Sequence, residues 1–255
     1  MQPWRTAIAK TDETSIRIRG YDIASLMRQS SFPGLVFLLH QGRLPSAAEA
    51  RLIDAILIGV ADYGSGAPSC AASRLAASGN RQSLSAAVAA GVLAIGDEHG
   101  GAGEACMEMI GAVVRRAKAD GVELAEAASA VVQETRRDGR RLPGLGHRRL
   151  TTDPRVEVLF SLARDANVAG DGIRVMQALE TAAREQIKPL PLNIDGALAA
   201  VLHDMGFPPA AGKLIFIVGR VAGLTAEVAE EHARERPMRI RIPVEYDGEP
   251  PREIP

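Results

Sequence analysis

Pro143-Gly144-Leu145-Gly146-His147-Arg148-Arg149, followed closely by Asp153-Pro154-Arg155, organises the reading of this 255-residue chain. A histidine stands directly after a glycine-rich turn. Glycine adopts positive φ and lets the backbone come close to a ligand, and the N–H groups of such a turn bind anions. The histidine titrates near neutral pH and serves as an acid or a base; the plainer alternative is a surface turn with no chemistry. Arg148 and Arg149 suit a phosphate or a solvated turn. Asp153 reads as an N-cap with Pro154 at the first helical position. Arg155 then lies in the first turn of a helix, where it either pairs along the helix or clamps a carboxylate with two hydrogen bonds.

Two further segments look like partners of the first. Gly96-Asp97-Glu98-His99-Gly100-Gly101-Ala102 sets His99 among glycines, open to close approach by a ligand. Asn193-Ile194-Asp195-Gly196 sets Asp195 at a helix start, where it is a candidate N-cap and where the positive helix end favours its ionised form. An ionised carboxylate against an apolar wall is also a base toward a carbon acid. Lys188, before Pro189, reads alone as a surface lysine. Arg220 interrupts an otherwise apolar helix. A buried unpaired charge is expensive, so a protein or substrate anion should meet it. Two histidines, one carboxylate and several cations suit carbon–carbon bond chemistry on an anionic substrate. His40, His203 and His232 read as structural. With no His-x-x-His, Cys-x-x-Cys or paired acidic motif, no metal site is expected. No phosphate-loop or dinucleotide-binding pattern is present in a βα context.

Aromatic residues are only 4% of the chain and alanine-rich periodic stretches recur, which favours helices packed through small side chains. Residues 11–20 alternate and read as a short strand and turn. Helices are expected at 22–31 with Asp22 as N-cap, and at 34–41 after Pro33-Gly34. Ser46 and Glu49 form a capping-box pattern that opens a helix to about residue 62. Further helices are expected at 68–77, 83–95, 104–118, 122–136, 154–167 and 171–187, then from Asp195 to Gly206, and at 210–232. Beyond Pro237 the chain reads as an extended surface arm.

The chain carries 30 basic and 31 acidic residues, so bulk charge lends no support to a nucleic-acid partner. Two cysteines are too few for a disulfide framework, and a reduced, cytoplasmic setting is the simplest expectation. The start lacks the apolar run of a signal peptide, and no stretch approaches the roughly 20 apolar residues that span a bilayer. A soluble protein without membrane partners is expected.

Taken in order, these segments resemble the citrate synthase superfamily, most closely its short members: citryl-CoA lyase and the citryl-CoA-cleaving domain of ATP-citrate lyase. The resemblance runs from about residue 15 to 248. Ile18-Arg19-Gly20-Tyr21-Asp22-Ile23, the Leu38-Leu39-His40-Gln41-Gly42-Arg43-Leu44-Pro45 stretch, the Gly-His-Arg with Asp-Pro-Arg, the Asp-Gly before an apolar helix and Val218-Gly219-Arg220 carry it. It implies a mostly α, two-domain helical fold with a few short strands that closes over coenzyme A and a dicarboxylate. The large domain would combine 1–105 with 210–255, and the small domain would be 106–209. A homodimer or multiple of dimers is implied. No tightly bound cofactor is implied; coenzyme A is part of the substrate and product.

The resemblance also implies roles. Asp195 matches the acid/base at the acetyl methyl. His99 matches the donor to the thioester carbonyl. His147 matches the residue that exchanges a proton with the oxaloacetate carbonyl oxygen, the citryl C3 hydroxyl. Arg155, Arg220 and Arg241 match carboxylate-binding arginines, the last contributed to the partner subunit. Gly144, Leu145, Gly146, Arg148 and Lys188 match coenzyme A contacts.

Three departures stand out. The long N-terminal region of typical citrate synthases is missing, which favours a short lyase. A substrate-binding histidine near residue 72 is replaced in Ser69-Cys70-Ala71-Ala72-Ser73. Losing one donor to a dicarboxylate costs about 1.5–3 kcal/mol, so the acid substrate is open. The loop from His147 to Asp153 is about one residue shorter. On the other side, His99 is retained where the ATP-citrate lyase domain carries phenylalanine. The resulting expectation is a citryl-CoA lyase. The alternatives are a citrate or methylcitrate synthase, or a non-catalytic acyl-CoA-binding paralogue.

Overall fold

The computed structural model describes residues 2–254. It contains eleven helices and one small sheet among the described residues. Strands β1 (Ala9–Thr11), β2 (Ile16–Ile18) and β3 (Tyr21–Asp22) form an antiparallel meander with Lys10 opposite Arg17 and Arg17 opposite Asp22. The helices are α1 (Ile23–Gln29), α2 (Phe32–Gln41), α3 (Ala47–Ala61), α4 (Pro68–Gly79), α5 (Leu84–Leu93), α6 (Ala102–Asp120), α7 (Leu124–Arg137), α8 (Pro154–Asp165), α9 (Asp171–Gln186), α10 (Ile194–Asp204) and α11 (Ala211–Arg234).

Local chemistry explains most boundaries. The Asp22 side chain accepts from Ser25 N and starts α1. Ser46 and Glu49 exchange both bonds of a capping box at α3. Helix α2 begins two residues earlier than expected, because Ser31 caps it and Pro33 sits inside its first turn, where a missing N–H costs nothing.

The centre of the molecule is α10, whose residues 196–202 are all buried. It packs on α6, α8 and α9, and α11 packs on α3, α4 and α6. Helix α11 approaches α3 closely because it offers glycines: a Cβ on Gly219 would fall 2.5 Å from Val60 Cγ2, and one on Gly223 would fall 2.0 Å from Ala61 O. That contact brings Arg220 against the C-terminal end of α3.

After α11 the chain has no regular structure. Its root is fixed: Arg239 donates twice to the buried Glu231, and Met238 N donates to Ser78 O. Residues 241–254 are exposed, as the expected surface arm requires. Among the described residues no helix is long and apolar enough to cross a membrane.

Candidate active site

The glycine-rich turn is strapped onto the start of α10. Asn193 N donates to Gly144 O at 3.1 Å and Gly146 N to Pro191 O at 2.7 Å. Asn193 Nδ2 donates to Gly146 O at 2.8 Å. Gly144 and Gly146 have φ of +77° and +88°, a region that favours glycine. His147 is thereby carried to the side of Asp195.

Backbone groups set the ring state of His147. Its Nδ1 accepts from Arg149 N at 3.0 Å and Leu150 N at 2.8 Å. Amide N–H groups only donate, so the neutral ring carries its proton on Nε2. Nε2 lies 3.3 Å from the Tyr63 hydroxyl.

Asp153 locks α8 to α10. Its fully buried carboxylate accepts from Arg155 Nε at 2.8 Å, Arg155 Nη2 at 2.7 Å and Ile194 N at 3.0 Å. Burial alone would raise this carboxyl, but the Arg155 and Ile194 hydrogen bonds outweigh it and hold it below the usual range. Arg155 also donates from Nη1 to Gly59 O at 2.9 Å and stands over the Tyr63 ring, 5.3 Å from its centroid. A guanidinium has five N–H groups, so Arg155 keeps an outward N–H on each terminal nitrogen.

Asp195 is not the N-cap that its position suggested. Asn193 is: its Oδ1 accepts from Asp195 N at 3.0 Å and Gly196 N at 3.2 Å. The Asp195 carboxylate is therefore free of capping, and its buried Oδ1 has no hydrogen-bond partner. Burial pushes its pKa up to about 6; Arg155 and Arg220 pull it down and Asp153 adds to the rise. A buried acceptor without a donor, with its pKa raised toward neutrality by burial, is chemically suited to proton transfer.

His99 is the mirror case of His147. Its Nε2 accepts from Ser69 N at 3.2 Å and meets Ser69 Oγ at 2.9 Å. The neutral ring then carries its proton on Nδ1. Burial, then the charges of Arg220 and Arg148, lower its pKa and keep it neutral. Arg220 is buried, with Nε on Val60 O at 2.8 Å, Nη1 on Ser69 Oγ at 3.2 Å and the Phe216 ring 5.0 Å away. Among the described residues no carboxylate pairs with it.

His147, Asn193 and Asp195 face a cavity of about 1090 Å³. Gly144, Leu145, Gly146, His147, Arg148, Lys188 and Asp195 line it, as do Arg140, Arg141 and Arg149. Acidic side chains Asp97, Glu98, Glu104 and Glu108 stand in the same wall. His99 and Arg155 adjoin the wall through Gly100 and Tyr63 respectively, and Arg220 lies behind it, bonded to the buried Ser69 next to the lining residue Pro68. Arg241 is exposed on the C-terminal segment and is not part of the wall. Ala72 does not line it either, and the neighbouring Ser73 hydroxyl donates to Ala87 O. Sequence reasoning missed Tyr63. It lies in Asp62-Tyr63-Gly64-Ser65-Gly66, a glycine-bearing turn of the kind that singled out His147.

Residues 45–241 match the family described as citrate synthase, C-terminal domain. The chain is 33% identical over 221 residues to the 2-methylcitrate synthase of Shewanella oneidensis, covering 85% of this chain and 55% of that protein. It is 27% identical over 236 residues to the citrate synthase of Deinococcus radiodurans, covering 90% and 59%. The chain thus spans little more than half the length of these relatives. Citryl-CoA lyase from Hydrogenobacter thermophilus superposes with a TM-score of 0.89 at 37% identity, covering 100% of this chain and 98% of that one. The ATP citrate lyase of Methanosaeta concilii, solved in complex with (3S)-citryl-CoA, superposes with a TM-score of 0.77 at 20% identity over 97% of this chain and 42% of that one, a likeness of fold.

Proposed function

The chain belongs to the citrate synthase family, and on that premise we propose that it cleaves citryl-CoA, or a close 3-hydroxy-3-carboxyacyl-CoA, into acetyl-CoA and oxaloacetate. The observation that carries this reading is that an unpartnered carboxylate, Asp195, shares one cavity wall with His147, with His99 directly behind the lining residue Gly100. The full-length superposition on a citryl-CoA lyase supports the lyase direction.

The chemistry follows from the proton positions. As the carbon–carbon bond breaks, charge develops on the thioester oxygen, and the His99 Nδ1–H donates to it as an oxyanion-hole group does. The enolate carbon takes a proton from Asp195, whose raised pKa leaves about one carboxyl in ten protonated at pH 7. The proton balance is completed at the C3 hydroxyl, which loses one. His147 is the partner for this proton, and its Nε2–H is directed at the Tyr63 hydroxyl. Accepting the hydroxyl proton in cleavage requires the ring to release the Arg149 and Leu150 amides. Arg155 and Arg220 hold the carboxylates in reactive orientation. Gly144, Leu145, Gly146, Arg148 and Lys188 take the coenzyme A portion. Arg241 serves a partner subunit within a homodimer, and segments 1–105 with 210–255 close against 106–209.

A condensing citrate or methylcitrate synthase is the second reading, favoured by the identity to the Shewanella enzyme. Purified protein given citryl-CoA separates the two. Oxaloacetate, followed with malate dehydrogenase and NADH, without free coenzyme A establishes the lyase. Free coenzyme A, followed with a thiol reagent, together with citrate establishes the synthase. No product in either assay removes both.

A further inference from the structure

We propose that Tyr63 is a further substrate-contacting residue, which donates its hydroxyl proton to a carboxylate of the acid half of the substrate while its oxygen accepts from His147. The proposal rests on the acyl-CoA reading above and names a member of the site that nothing in the family motifs singled out.

Three features of the structure converge on this side chain. The first is the direction of its hydrogen bond. Both backbone donors occupy Nδ1 of His147, so its Nε2 is the donor in the 3.3 Å contact with the Tyr63 hydroxyl. A phenol oxygen that accepts there keeps its own O–H for another acceptor. No protein group takes that proton among the described residues.

The second is the ring. The Arg155 guanidinium stands over its face at 5.3 Å, and the His147 ring meets it edge-on with centroids 5.7 Å apart. Arg155 meets a ligand through the N–H groups that Asp153 and Gly59 leave free, and the Tyr63 side chain lies against that guanidinium. Hydrogen bonds to an ionised acceptor are the strong ones, and a carboxylate has oxygens for both donors.

The third is position. Tyr63 lines the cavity together with His147 and Asp195. It reaches the site from the loop after α3, whereas His147 and Arg155 come from the loop before α8 and its first turn. Tyr63 therefore brings a segment distant in sequence from His147 and Arg155 to the same wall.

The test is Tyr63→Phe, which keeps the ring and deletes only the hydroxyl. Steady-state rates with citryl-CoA, coenzyme A affinity by calorimetry and thermal unfolding are measured on both proteins. The expected result is a fall in kcat/KM of about 10- to 100-fold, with coenzyme A affinity and unfolding temperature unchanged. Tyr63→Leu, which also removes the ring from Arg155, should fall further in kcat/KM and again spare coenzyme A. Wild-type rates in Tyr63→Phe overturn the assignment and leave the lyase reading intact. So does a parallel loss of coenzyme A affinity, which would mark a structural residue. A wild-type protein that neither cleaves nor forms citryl-CoA overturns the functional reading and the assignment with it.

Discussion

Gly144 and Gly196 meet backbone to backbone: a Cβ on Gly144 would lie 2.6 Å from Gly196 Cα, and one on Gly196 would lie 2.5 Å from Gly144 O. This contact couples the loop bearing His147 to the helix bearing Asp195. Gly144→Ala meets both a forbidden backbone region and a clash with main chain, which together cost about 2–4 kcal/mol. Gly146→Ala has a similar φ but its nearest foreign atom, Leu190 Cδ2, is 3.6 Å away. It should lose only the backbone part, about 1–2 kcal/mol. Urea unfolding of the pair checks this, and equal losses would show that the Gly196 contact does not matter.

Asp195 should be a group that activity needs and stability does not. Asp195→Asn should lower turnover by orders of magnitude with coenzyme A binding retained, because the proposed role places the carboxylate at the reacting carbon. Its folded pKa of about 6 lies above the ordinary aspartate value. The folded state then binds more protons than the unfolded one, so this residue's contribution worsens as pH rises. The penalty is absent below about pH 4 and complete above about pH 6, with a ceiling of about 3 kcal/mol. Asp195→Asn is expected to gain about 1–3 kcal/mol over the wild type at pH 8 and nothing at pH 4. Denaturant midpoints at the two pH values measure it; a variant less stable at pH 8 would refute the assignment of a strained carboxylate.

Much of this was legible because the signals were local. Asp22, Ser46 and Asp153 stand one residue ahead of their helices, and each has a side chain that accepts from a backbone N–H two or three residues onward. The candidate site offered a local signal where a glycine turn flanks the residue, as at His99 and His147. It was not readable where two residues compete for one role. Asn193 and Asp195 both suit an N-cap, and only tertiary packing assigned the cap to Asn193 and freed Asp195. Contacts between distant segments left no local trace either. Ser69 meets His99 across 30 residues and Arg220 across 151, and Tyr63 meets His147 across 84.

The two histidines should show opposite tautomers. Ser69 N on Nε2 makes His99 the Nδ1–H form, and Arg149 N and Leu150 N on Nδ1 make His147 the Nε2–H form. Long-range nitrogen–proton correlation spectra distinguish the forms directly. His99 should also remain neutral to a lower pH than an ordinary histidine, because burial and then the charges of Arg220 and Arg148 oppose its protonation. Arg148→Gln removes one of those charges at the surface and should move the His99 titration upward. A downward move, or matching tautomers, would contradict the geometry.

Arg155 and Arg220 look alike as candidate carboxylate clamps but differ in what the folded protein asks of them. Arg155 neutralises the fully buried Asp153, whose second oxygen also anchors Ile194 N at the start of α10. Removing one partner of a buried pair leaves the other uncompensated, which costs about 3–5 kcal/mol. Arg155→Met should therefore unfold early and lose activity and stability together. Among the described residues Arg220 pairs with no carboxylate; it meets the Val60 carbonyl, the Ser69 hydroxyl, the Cys70 sulfur and the Phe216 ring. A buried cation without a counter-ion is a cost that a ligand anion relieves. Arg220→Met should change the free protein's stability by no more than about 1 kcal/mol, while oxaloacetate affinity falls by about 100-fold or more. Melting curves with and without saturating oxaloacetate read both quantities. The wild type should gain stability from the ligand, Arg220→Met should gain none, and a ligand shift preserved in Arg220→Met would show that the substrate anion sits elsewhere.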